Sequence, residues 1–204
     1  MRKLFLSLLV CMLFFTTSCT LNEIKTSTIE LKKNGSINAF ILEPFDIAKY
    51  QEVDLKNWVT IEISNYNIDK EDKIILKDLY VEEGSAMLSV KFPTCEDYMK
   101  LNGEVLFFGT IEEVMGPEFC LVGDYFNSDG LKVTLTEEDL LKNVDLKVLI
   151  SKEPICVSTY KDALFYSQNI NKIKSKTYDL VEQKNQELNK EESNDEEYYI
   201  LIFE

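Results

Sequence analysis

Thr26-Ser27-Thr28-Ile29-Glu30-Leu31-Lys32 runs into Lys33-Asn34-Gly35-Ser36, and then into Ile37-Asn38-Ala39-Phe40-Ile41-Leu42. Apolar residues recur at every second position on both sides of the Asn-Gly pair, which is the period of a pleated strand with one buried face. Asn-Gly accepts the positive φ that a two-residue type I′ turn needs at both central positions, so the stretch reads as a β-hairpin. Antiparallel pairing of neighbouring strands is therefore the expected basis of the fold.

Working outward, Lys73 to Glu82 and Ala86 to Phe92 bracket Glu83-Gly84-Ser85 as a second hairpin. Asp54 to Asn67 fits a helix, with Leu55, Trp58, Val59, Ile63 and Tyr66 on one face and Asp54 as N-cap, although Val59, Ile61 and Ile63 also alternate as a strand would. Thr94-Cys95-Glu96-Asp97 has the form of a capping box and opens a helix through Asn102, stopped by Gly103. Thr110 to Met115 makes a helical turn before Gly116-Pro117, and Thr136 caps another short helix. Val105 to Phe108, Leu131 to Leu135, Val144 to Ser151, Ile155 to Thr159 and Ala163 to Tyr166 read as strands.

After Tyr166 the chain turns polar. Residues 168–197, rich in Asn, Lys, Gln and Glu, lack the apolar surface to offset their ordering entropy and are expected to form a flexible acidic segment, with a frayed helix over Thr177 to Lys190 as the alternative. Tyr198-Tyr199-Ile200-Leu201-Ile202-Phe203 is the opposite: left free it would aggregate, so residues 198–204 are expected to return to the sheet as a strand. The sum is one α+β domain over residues 26–167, mostly antiparallel hairpins with a few short helices packed on one face, completed by that last strand.

Met1-Arg2-Lys3, an apolar run from Leu4 to Phe15, and Thr16-Thr17-Ser18-Cys19 begin the chain. The run is short of the roughly 20 residues that cross a hydrocarbon core and matches the apolar centre of a cleaved secretion signal. Residues 1–18 are expected to be removed, leaving 19–25 as a short tether of roughly 25 Å at full stretch. Cleavage takes Arg2 and Lys3 away, moving the formal charge from −14 to −16 and removing the one arginine. A chain without arginine or basic patches is unsuited to nucleic acid.

The segment Thr16-Thr17-Ser18-Cys19 resembles the lipobox of bacterial lipoproteins, departing from it at Thr16, where Leu is usual. With the hairpin Ile29 to Leu42, Asp97-Tyr98-Met99-Lys100-Leu101-Asn102, Phe107-Phe108-Gly109-Thr110 and the apolar end Tyr199 to Phe203, the chain resembles small lipoproteins of low-GC Gram-positive bacteria, a group without an assigned activity. The resemblance implies a diacylglyceryl group on the Cys19 thiol and a domain held on the extracytoplasmic face of the cell membrane. An ordinary secretory signal with a cysteine near the cut is the alternative.

For chemistry the sequence is sparing. It contains no histidine, which removes the commonest general base and most zinc sites. Cys95 lies at a helix N-terminus, but Glu96 and Asp97 oppose a thiolate there. Cys95, Cys120 and Cys156 are expected to be free, buried thiols. Asn127, Asp129 and Gly130 fit an EF-hand loop, yet Tyr125 and Thr136 stand where carboxylates are required, so a hairpin turn is the better reading. The acid pairs Glu82-Glu83 and Glu112-Glu113 read as surface charge, and Phe107-Phe108, Tyr125-Phe126 and Phe165-Tyr166 as half core and half surface.

No catalytic, cofactor-binding or metal residue is assigned, and the one site is Cys19. The expected function is a non-catalytic binding or accessory module serving a membrane or cell-wall protein. A carboxylate-dependent hydrolase of cell-wall glycans is the alternative, and a solute receptor is disfavoured by the length of the chain. An exposed apolar patch would favour the module, and two convergent, half-buried acids in a cleft the enzyme.

Overall fold

A computed structural model describes residues 26–115, 119–180 and 198–204. The opening hairpin is present: β1 (Thr28–Leu31) pairs antiparallel with β2 (Ile37–Pro44), Leu31 opposite Ile37. Its turn differs from the expected type I′. Only Gly35 takes positive φ (82°), its N–H donating to the Lys32 carbonyl while Lys32 N–H donates to Ser36. The Asn34 carboxamide oxygen instead accepts from the Ser36 N–H and hydroxyl, leaving a three-residue turn with a glycine bulge. The type I′ geometry occurs in the second hairpin, β3 (Ile75–Glu82) and β4 (Ser85–Phe92), where Glu83 (φ 50°) and Gly84 (φ 77°) form a two-residue loop.

The remaining elements are α1 (Glu52–Tyr66), α2 (Cys95–Asn102), β5 (Leu106–Thr110), α3 (Ile111–Val114), β6 (Gly123–Asn127), β7 (Lys132–Leu135), α4 (Glu137–Leu141), β8 (Lys147–Ser151), β9 (Cys156–Ser158), β10 (Phe165–Ser167), β11 (Asn171–Lys174), β12 (Thr177–Asp179) and β13 (Tyr199–Phe203). Two sheets result, with strand orders β11-β12-β9-β1-β2-β4-β3 and β5-β8-β13-β10-β6-β7. Every pairing is antiparallel except β1 with β9, so the chain is an α+β protein dominated by sheet.

β13 is the centre of the second sheet, between β8 and β10, and all five of its residues are buried. Its alternation explains why. Tyr199, Leu201 and Phe203 join the larger core, with Ile29, Leu31, Val157 and Tyr178 of the first sheet. Ile200 and Ile202 join a second core beneath α3 and α4, with Ile111, Val114, Leu140, Val148 and Ile150. A strand buried on both faces must be apolar throughout, which is the composition of this run. The helices divide accordingly: Val59 and Ile63 of α1 and Tyr98 of α2 serve the first core, α3 and α4 the second.

Thr94 caps α2, accepting the Asp97 N–H at 3.0 Å, and Thr110 and Thr136 form capping boxes with Glu113 and Asp139. The N-cap of α1 is Gln51, three residues before the expected Asp54, and makes no side-chain capping bond; Asp54 lies inside the first turn.

The expected flexible segment 168–197 needs correction over residues 168–180. Asn171–Lys174 and Thr177–Asp179 are strands, and Tyr178 and Leu180 are fully buried. Few apolar residues suffice here because β12 pairs with β9 and the Tyr178 hydroxyl accepts the Ala163 N–H at 2.7 Å. The rest of that segment, residues 181–197, lies outside the described residues, as do the leader 1–18, Cys19, the tether to residue 25, and Gly116-Pro117.

Candidate docking surface

α1 lies against the first sheet through one stripe. Val59 and Ile63 are buried, Leu55 and Tyr66 half-buried, and the expected face holds for these four. Trp58 does not follow them; it is 61% exposed. It sits about 100° around the helix from Val59, on the flank of the stripe. Ile61, 57% exposed, lies further round still, among Asp54, Trp58, Glu62 and Asn65 at i, i+4, i+7, i+8 and i+11 spacing. α1 is thus apolar on a second face that no described element covers.

Beside this face is a groove of about 180 Å³ between α1 and α2, floored by Ile41, Leu88 and Val90 of the sheet and walled by Trp58, Glu62 and Leu101. Its volume suits one large apolar side chain. The loop leading into α1 carries exposed Ile47 and Tyr50, and Val53 is exposed about 140° round the helix from Trp58. Trp58 and Ile61 with the groove make an exposed apolar patch bordered by Asp54 and Glu62, of the kind that marks interaction sites. The sequence signal for it was the surplus of apolar residues in α1: Val53 and Ile61 belong to no single helical face.

The residues weighed for chemistry are dispersed. Cys95 is buried beneath the β1–β2 turn, and burial pushes its thiol up to about 12, which overrides the helix terminus. Cys120 is exposed and Cys156 half-buried, so the expectation of buried thiols holds for Cys95 alone; a run of apolar neighbours in sequence does not make a residue face the core. All three are free. Asn127 accepts the N–H groups of Asp129 (3.0 Å) and Leu131 (2.8 Å) and so builds the β6–β7 turn, as the hairpin reading expects. Glu82, Glu83 and Glu112 are exposed, and Glu113 is occupied in its capping box, accepting the Thr110 N–H. Among the described residues no three His, Cys, Asp or Glu side chains cluster so as to hold a metal ion, and no helix is long and apolar enough to cross a membrane.

A second cleft, of about 670 Å³, opens between the β1–β2 turn and β5 and is lined by Lys33, Cys95, Phe107, Phe108, Phe119 and Lys147. Phe107, Phe108, Phe126 and Phe165 are half-buried, whereas Tyr125 and Tyr166 are buried.

One carboxylate is unusual. Glu153, half-buried, accepts the Tyr98 hydroxyl at 2.6 Å, and burial raises its pKa above the ordinary 4.5, with Glu104 and Glu43 adding to the rise and the Tyr98 hydrogen bond opposing it. The sign follows: a carboxyl raised in the folded state contributes stability below pH 4.5 that is lost as pH climbs through the folded value. Glu153→Gln keeps an oxygen for Tyr98 and removes the penalised charge. Its unfolding curves should overlay the parent below pH 4.5 and exceed it at pH 7, by about 1 kcal/mol or less since solvent still reaches the group. A variant less stable at pH 7 would show that the charge is favourable in the fold.

Comparison with protein families, with curated proteins and with solved structures finds no match for this chain.

Proposed function

We propose that this chain is a lipid-anchored binding module on the extracytoplasmic face of a cell membrane, fastened through Cys19 and docking a partner protein on the outer face of α1. The observation that carries the docking half is the exposed Trp58–Ile61 face with its apolar groove. The anchoring half rests on the lipobox-like Thr16 to Cys19.

Topology is consistent with both. The chain enters the first sheet through Ser27, whose hydroxyl accepts the Leu42 N–H at 3.1 Å. Ser27 therefore lies at the end of β2 from which the Ile47–Tyr50 loop and α1 depart. A lipid at Cys19 would hold the docking face close to the bilayer. A net charge of −16 after cleavage (−14 less Arg2 and Lys3) gives the domain no electrostatic attraction of its own to anionic lipid, so the acyl chains must supply the anchoring. Two chains at about 0.8 kcal/mol per methylene give on the order of 20 kcal/mol.

Cys19→Ser should move the protein from the membrane to the soluble fraction almost completely and abolish incorporation of labelled palmitate. Membrane association unchanged by the substitution, or a parent chain that takes up no palmitate, refutes the anchor.

The hydrolase alternative has Glu153 in its favour, a carboxyl with raised pKa near Glu104 and Glu43. Glu153 lines neither of the two clefts described, and its oxygen is engaged by Tyr98.

A further inference from the structure

We infer that the α1 face takes a basic amphipathic segment of a partner protein, one apolar side chain entering the groove between α1 and α2 while its lysines or arginines meet Asp54, Glu62 and the face of Trp58. The inference rests on the binding-module reading and adds the chemistry of the partner.

The charge pattern argues for a cationic occupant. Asp54 and Glu62 flank Trp58 and Ile61 on one helical face, and among the described residues neither has an ion-pair partner; nor does Glu52 in the first turn. Asp46 pairs with Lys49, Glu96 with Lys100 and Asp97 with Lys70, whereas Asp69, Glu71 and Asp72 beyond the end of α1 are, like Asp54 and Glu62, in no ion pair among the described residues. Free acids thus flank the exposed apolar residues. Glu52 and Asp54 favour the helix N-terminus electrostatically, but Glu62 lies too far along α1 for that role.

The apolar chemistry argues for an amphipathic occupant. The groove has room for one bulky aliphatic side chain, and Trp58 beside it is the best of the aromatic faces for a cation. A bilayer is a poorer fit, because Asp46, Glu52, Asp54 and Glu62 would approach anionic headgroups against only Lys49 and Lys56. Charge complementarity would also steer the encounter.

Trp58 is the chain's single tryptophan, so its emission reports on this face alone. The purified full-length chain is titrated with a synthetic leucine–lysine helical peptide. A blue shift with salt-sensitive affinity is expected. Asp54→Lys with Glu62→Lys should weaken binding at least roughly tenfold, whereas Glu137→Lys with Glu138→Lys on α4, the same change in charge, should leave it within about twofold. Ile61→Ser should weaken binding about fivefold with the thermal midpoint unmoved, since the residue is exposed.

Equal weakening by both lysine pairs would reduce the effect to general attraction and overturn the proposal. So would absence of a blue shift, or the same shift produced by phosphatidylcholine vesicles, which would make lipid the occupant. Fractionation of Cys19→Ser is read separately: its failure removes the anchor and leaves peptide binding to be judged alone.

Discussion

A chain ending at residue 197 is expected to be insoluble, or soluble only as an expanded species without a cooperative unfolding transition. The deletion takes β13 from the middle of a six-stranded sheet. Its Tyr199, Ile200, Leu201, Ile202 and Phe203 are all buried, and at about 1.5–3 kcal/mol for each large apolar side chain the loss is on the order of 10 kcal/mol. That equals the whole net stability of a typical domain, roughly 5–15 kcal/mol. The damage is also topological: β8 and β10 each lose a partner, leaving two open edges next to exposed core, the condition for aggregation. Circular dichroism melting and the soluble yield of the truncated chain measure this. A truncation as soluble and heat-stable as the parent would show that β13 is dispensable. A graded version is Ile202→Ala, which should cost about 2–5 kcal/mol without changing the fold.

The second large effect is expected at Tyr178, which lies in a stretch of polar sequence. Tyr178 is fully buried, its ring 5.9 Å from that of Tyr166 across the two sheets. Its hydroxyl accepts the Ala163 N–H at 2.7 Å and donates to Asp162 at 3.2 Å. Tyr178→Ala removes the ring and should cost about 3–5 kcal/mol. Tyr178→Phe keeps the ring but leaves a buried backbone N–H without an acceptor, a cost of about 1–3 kcal/mol. Chemical denaturation of both variants separates packing from hydrogen bonding. If Tyr178→Ala melts with the parent, residues 171–180 do not contribute to the fold.

These two sites also mark where reading the chain succeeds and where it stops. β13 was legible because six apolar residues preceded by acids have one low-energy destination, a strand inside a sheet. β11 and β12 were not legible. Lys172, Lys174 and Asp179 are ordinary in a solvated loop, and what makes this stretch a pair of strands is β9, already fixed in the sheet, offering its free edge to β12. Local composition cannot report a partner that arrives from elsewhere in the chain. The thiols make the same point: Phe119-Cys120-Leu121 looks like core, yet Leu121 is buried and Cys120 exposed, since only one side of the backbone faces α3 and α4.

The docking face was half legible. A Leu55, Val59, Ile63, Tyr66 stripe is what a helix on a sheet requires, and it is buried or half-buried as periodicity demands. Assigning Trp58 to that stripe was reasonable by spacing and incorrect by packing. The stripe that a flat sheet can cover is narrower than the arc that apolar residues occupy in α1.

By itself the amino-acid order determined the hairpins, the threonine helix caps, the α+β class and the buried final strand, because each depends on side-chain period or on a hydrogen bond within a few residues. Tertiary structure alone decided that β1 lies beside β9, that β13 separates two cores, and that Trp58 and Ile61 stay in water. Those outcomes depend on which surfaces are already filled when distant segments meet, and close packing admits only the side chains for which room remains.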